Sequence, residues 1–139
     1  MPTDKNPLPA APEDKSVKAT AGKKILIVED EKPLAHALAL KMGHEGYVTQ
    51  ICNNGAEGLK EALTGGYDII LLDIIMPEVD GFTILQELQT KKTKTPVIVL
   101  SNLGQDEDRE RAKKLGAVDY FVKANTPIAD ILKKVKEMI

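Results

Sequence analysis

The chain has 139 residues, 42% of them hydrophobic and 29% charged, with a formal net charge of -2, a balance that fits one soluble domain of ordinary size. There is no global basic field to draw DNA or an anionic membrane, so no nucleic-acid partner and no membrane insertion are expected. The longest aliphatic runs fall far short of a membrane span, no apolar signal core opens the chain, and a single cysteine, Cys52, precludes an internal disulfide, which together point to a cytoplasmic protein.

Residues 1 to 22 carry half of the eight prolines and only Met1, Leu8 and Val17 as larger apolar side chains. Such a segment buries too little surface to offset the entropy of ordering it, and it reads as a flexible tail or linker. From Lys23 the pattern changes to short aliphatic runs alternating with helical-period stretches, the signature of βα units around a parallel sheet. The strands are expected at 24 to 29 (KILIVE), 48 to 52 (VTQIC), 68 to 73 (DIILLD), 96 to 101 (PVIVLS) and 119 to 123 (DYFVK). The first, third and fourth are continuously apolar, as parallel strands covered on both faces are.

Between them lie five predicted helices. Pro33 suits a first turn, and Leu34, Leu38 and Met42 recur at four-residue spacing, which predicts a helix over roughly 32 to 45. Asn53, Asn54 and Gly55 form a turn and cap before a second, over 55 to 64, closed by Gly65 and Gly66. Phe82, Leu85 and Leu88 place the third at about 82 to 90. The fourth, near 105 to 115, is charged, with Ala112 and Leu115 as a thin apolar stripe. The run from Asp106 to Lys114 is most simply an ion-paired, exposed face. In the fifth, Ile128, Ile131, Leu132, Val135 and Ile139 share one face.

The polar residues that interrupt the strands all fall at the same ends. Glu29 and Asp30 close the first strand, Asp73 the third, Ser101 the fourth and Lys123 the fifth. In an open doubly wound sheet these carboxyl ends share one edge, and ligands bind there where the strand order reverses. Carboxylates gathered at one place repel, and a shared proton or a bound cation relieves them. An oxygen-only donor set favours a hard ion such as Mg2+. Lys123 can pair with Asp73 at rest and with a phosphoryl group later, while Ser101 supplies a hydroxyl. Each residue also has a plainer role available: Asp73 as a turn cap, Glu29 and Asp30 as a solvated pair, Ser101 as a strand-end hydroxyl, Tyr120 as packing. His36 and His44 read as solvated helix residues and Cys52 as core filling.

With "ILIVEDE", "DIILLDIIMPEVDG", "VIVLSN" and "GAVDYFVKA" in place, residues 23 to 139 resemble the receiver domain of bacterial two-component response regulators, of the single-domain type. The match includes Met76, Pro77 and Gly81 at the family's spacing from Asp73. The resemblance implies an α/β fold of the flavodoxin-like (βα)5 kind, a doubly wound five-stranded parallel sheet in the order 2-1-3-4-5. It makes Asp73 the phospho-acceptor, Asp30 and Asp73 direct Mg2+ ligands, Glu29 a ligand through water, and the backbone carbonyl of Ile75 the last protein ligand. Lys123 then neutralises the phosphoryl group, Ser101 swings to it, and Tyr120 turns inward, switching the surface of helix four, strand five and helix five. The partners implied are a histidine kinase or histidine phosphotransfer protein and a downstream protein target. The protein is a phospho-acceptor rather than a turnover enzyme.

Two positions depart from the family's pattern. Ala124 follows Lys123 where proline is common, and because a non-proline cis bond costs about 3 kcal/mol a trans link is expected. Asn102 follows Ser101 where a very small residue is usual, narrowing the phosphoryl entrance. Ile75 and Leu103, both apolar, border the path of a hydrolytic water, so slow phosphoryl loss is expected. The alternative is a pseudo-receiver, a phosphorylation-independent interaction module. An aspartate-nucleophile hydrolase fits less well, because the second aspartate of such enzymes is replaced here by Ile75.

Overall fold

The computed structural model describes residues 22 to 139; the expected tail lies outside the described residues except for Gly22. Five strands, β1 (Lys24–Val28), β2 (Val48–Cys52), β3 (Ile69–Leu72), β4 (Val97–Ser101) and β5 (Asp119–Val122), form one sheet in the order β2-β1-β3-β4-β5. Every pairing is parallel. Five helices alternate with them: α1 (Lys32–His44), α2 (Gly55–Thr64), α3 (Gly81–Thr90), α4 (Asp106–Lys114) and α5 (Ile128–Met138). The (βα)5 architecture and strand order are those expected.

The strands divide their side chains between two faces because successive residues point to opposite sides. On one face Leu26, Val28, Ile70, Leu72 and Val99 pack with Ile84, Leu85 and Leu88 of α3 and Ala112 of α4. On the other, Ile25, Ile27, Ile69, Leu71 and Ile98 meet Leu38 and Met42 of α1 and Val135 of α5. Each fully buried aliphatic side chain is worth about 1.5–3 kcal/mol, so the two half-cores hold the central strands, and with them the strand ends, in fixed register.

Local chemistry sets where the helices begin. Asn54 caps α2 by accepting from Glu57 N–H at 2.9 Å, and Asp80 caps α3 by accepting from Thr83 N–H at 2.9 Å. In α4 three acids occupy the first turn and three bases the last, which complements the helix dipole. No cis peptide occurs among the described residues, and Lys123–Asn125 forms a short 3-10 turn, so the link to Ala124 is trans as expected.

Candidate functional site

Asp73 is the first residue beyond β3, and its N–H still donates to Val28 O at 2.9 Å. The parallel ladder therefore delivers its side chain beside the end of β1. Glu29 N–H likewise donates to Cys52 O at 3.0 Å. Both carboxylates are buried, Glu29 at 1% exposure and Asp73 at 4%. Asp30 is the most accessible of the trio, and carboxylate oxygens of all three lie within 4.8 Å of one another.

The cation at this cluster is Lys123, brought from the far side of the chain by β5. Its Nζ donates to Glu29 Oε2 at 2.9 Å, to Asp73 Oδ2 at 3.0 Å and to Glu31 Oε2 at 3.1 Å. Burial would depress an ammonium, but the hydrogen bonds and charges of Glu29 and Asp73 outweigh it and hold Lys123 above its usual range. Burial raises both acids, Glu29 to about 7, against the opposing pull of the lysine. Asp73 Oδ1 additionally accepts from Ile75 N–H at 3.3 Å. Asp30, Glu31, Asp73, Ile75, Asn102 and Lys123 line a pocket of about 180 Å³ over this cluster.

Four acids surround one ammonium, so the cluster keeps a negative excess that a divalent cation would relieve. Its donors are oxygens only and lie close enough to share one ion, which suits a hard metal. The residues present therefore fit Mg2+.

Ser101 and Tyr120 form a second unit behind this one. Ser101 is fully buried at the end of β4, and its Oγ accepts from Leu103 N–H at 3.3 Å. The Tyr120 hydroxyl donates to Leu103 O at 2.6 Å, while the Arg109 guanidinium lies 5.3 Å from the ring centroid. The Leu103 residue thus ties both side chains into one loop. Tyr120 is 7% exposed, with its ring facing inward. The reason is local: the buried phenol has a carbonyl to bond and a guanidinium to cover its ring.

The structure brings Glu29, Asp30, Asp73 and Lys123 together, with Ile75 on the pocket wall, and sets Ser101 beneath the wall rather than on it. Two participants were missed in the sequence. Glu31, the third acid of "VEDE", was passed over although an ammonium has three donors to satisfy. The Leu103 link runs through backbone atoms and left no residue-type signal. His36 and His44 are exposed and Cys52 is buried, as expected.

These strand-end acids and lysine, on a doubly wound sheet, define the class of receiver-like α/β domains. Residues 25–136 match the family model described as the response regulator receiver domain. The chain is 38% identical over 116 residues to the transcriptional regulatory protein CusR of Escherichia coli K12, covering 84% of this chain and 51% of that one. It is 37% identical over 116 residues to the response regulator ArlR of Staphylococcus saprophyticus, covering 84% and 52%. It spans about half the length of these relatives. Among solved structures, the Francisella response regulator 1452 receiver domain superposes with a TM-score of 0.80 at 32% identity, over 84% of this chain and 96% of that one. The BeF3-activated receiver domain of Klebsiella pneumoniae RstA gives 0.77 at 27%, over 84% and 97%. The chain belongs to the response regulator receiver domain family. No helix among the described residues is long and apolar enough to cross a membrane.

Proposed function

We propose that this receiver domain accepts a phosphoryl group on Asp73 from a histidine kinase or histidine phosphotransfer protein, and signals through α4, β5 and α5 to a downstream protein. The observation that supports this most strongly is the Lys123 ammonium, bonded at once to Asp73 and Glu29 beside Asp30. In the transfer, an Asp73 carboxylate oxygen forms a bond to phosphorus as the phosphorus–nitrogen bond of the donor phosphohistidine breaks. The departing imidazole keeps that electron pair and takes a proton from solvent. Lys123 neutralises charge on the transferring oxygens. Asp30 and Asp73 directly, Glu29 through water, and the Ile75 carbonyl would hold Mg2+. Bound there, the ion supplies positive charge against the phosphoryl oxygens.

Ser101 donates its hydroxyl to the phosphoryl group once it releases Leu103 N–H, and because Tyr120 bonds the same residue the loop moves with it. The domain is then a phospho-acceptor that assists its own phosphorylation and dephosphorylation, not a turnover enzyme. The names of CusR and other relatives attach transcription to longer chains, of which this one covers about half; the expectation of no nucleic-acid contact is kept for the receiver domain alone, as is cytoplasmic residence.

Incubation with acetyl phosphate and Mg2+, read by intact mass, tests the reading. Wild type gains one phosphoryl group, and Asp73→Asn or added chelator abolishes the gain. No gain by the folded wild type supports a phosphorylation-independent interaction module instead, and turnover of many equivalents supports a hydrolase.

A further inference from the structure

The phosphoryl-transfer roles leave one acid at Lys123 without a task. The ammonium has three N–H donors, and the structure uses all three, on Glu29, Asp73 and Glu31. The acceptors are not equivalent. The side chains of Glu29 and Asp73 are 2% and 4% exposed, whereas that of Glu31 is 54% exposed.

For the ammonium to reach a phosphoryl oxygen on Asp73, one of these bonds must open. Opening the bond to Glu29 strands a buried charge away from water, while the acyl oxygen of a phosphorylated Asp73 can still accept from the ammonium. Opening the bond to Glu31 returns its carboxylate to solvent, where an ion pair is worth little. Glu31 is also free of other duties. It is the N-cap residue of α1, yet its side chain makes no cap hydrogen bond. Its backbone N–H donates to Glu29 Oε2 at 3.0 Å, which fixes the residue beside the cluster while its carboxylate stays releasable.

We infer that Glu31 is a positioning residue, a releasable latch that holds the third donor of Lys123 in the resting domain and yields it to the phosphoryl group. The latch rests on the proposed role of Asp73 as acceptor. In the resting state it keeps the ammonium fully bonded and aimed between Glu29 and Asp73. Because the bond to Glu31 is the least costly of the three to open, removing it favours phosphoryl uptake.

Two variants separate reach from charge. Glu31→Ala removes both, while Glu31→Asp keeps the charge, can cap α1, and falls one methylene short of Lys123. The first readout is hydrogen exchange of the Lys123 ammonium, followed by NMR of lysine-15N protein without metal. The second is the rate of uptake from acetyl phosphate at saturating Mg2+. Both variants should raise both rates by roughly two- to fivefold, the range a half-exposed ion pair supports.

Equal exchange rates in all three proteins overturn the latch whatever uptake does. A response in Glu31→Ala alone, with Glu31→Asp matching wild type, overturns it in favour of simple charge at the pocket mouth. Exchange that responds in both variants while wild type gains no phosphoryl group overturns the acceptor reading itself, and the latch's role falls with it.

Discussion

Lys123 Nζ lies 3.0 Å from Asp73 Oδ2, a contact between residues 50 apart in sequence. Neither end of it is open to water, the lysine side chain being 8% exposed and the aspartate 4%. The pair is therefore a structural element as well as a proposed chemical one. Removing the lysine leaves Glu29 and Asp73 as buried acids with no counter-charge, and Lys123→Ala should destabilise the domain by about 3–5 kcal/mol at pH 8.

The pH dependence of that loss has a definite sign. Burial raises Glu29 from 4.5 to about 7, and raises Asp73 as well. Between roughly pH 4.5 and 7 the folded state then holds more protons than the unfolded one, so stability falls as pH rises. Urea titrations in chelator should show Glu29→Gln flattening this slope, and the Lys123→Ala deficit shrinking towards pH 5 as the acids become protonated. A deficit that stays constant across this window contradicts the electrostatic account.

Gly81 bears on the placement of Asp73. A Cβ there would strike the carbonyl oxygen of Asp73 and come within 2.7 Å of Ile74 Cα, both backbone atoms with no room to turn aside. Gly81→Ala should cost about 1–3 kcal/mol, and the displaced Asp73 should take up phosphoryl groups more slowly. A folded variant with the wild-type uptake rate would show that the loop absorbs the methyl group without moving the acceptor.

Tyr120→Phe deletes the hydroxyl that donates to Leu103 O at 2.6 Å and also meets the Ser101 side chain. One buried hydrogen bond is worth about 1 kcal/mol, which a shifted urea midpoint would report. Because Ser101 bonds the same residue through its N–H, NMR shifts should appear at Leu103 and Ser101 as well as at position 120. Shifts confined to Phe-proximal residues of α4 would argue that the two side chains move independently.

Ile75 is 55% exposed on the pocket wall, where an apolar side chain offers nothing to orient an attacking water. The phosphorylated protein should lose its phosphoryl group slowly, and Ile75→Asn should speed that loss severalfold. Intact mass followed over time measures it; rapid loss from wild type in Mg2+ buffer runs against this reading.

Much of this architecture was readable from the residues. IILL at 69 to 72 is too continuously apolar for anything but a strand covered on both faces, and the aspartate that follows announces the strand end. Pro33 and Asn54 mark helix starts through constraints confined to one turn. What escaped reading depends on distance in sequence or on backbone atoms. Glu31 looks like any exposed acid before a helix until β5 carries Lys123 to it. The inward Tyr120 depends on an acceptor, the Leu103 carbonyl, that every residue possesses and no side chain advertises.

The most direct test of the central claim is chemical. Borohydride reduces an aspartyl phosphate to homoserine, so protein phosphorylated with acetyl phosphate and Mg2+, then reduced and digested, records the site as a mass change on one peptide. The account predicts homoserine at position 73 alone. Homoserine at position 30, or unmodified peptides from protein shown to be folded, would contradict it.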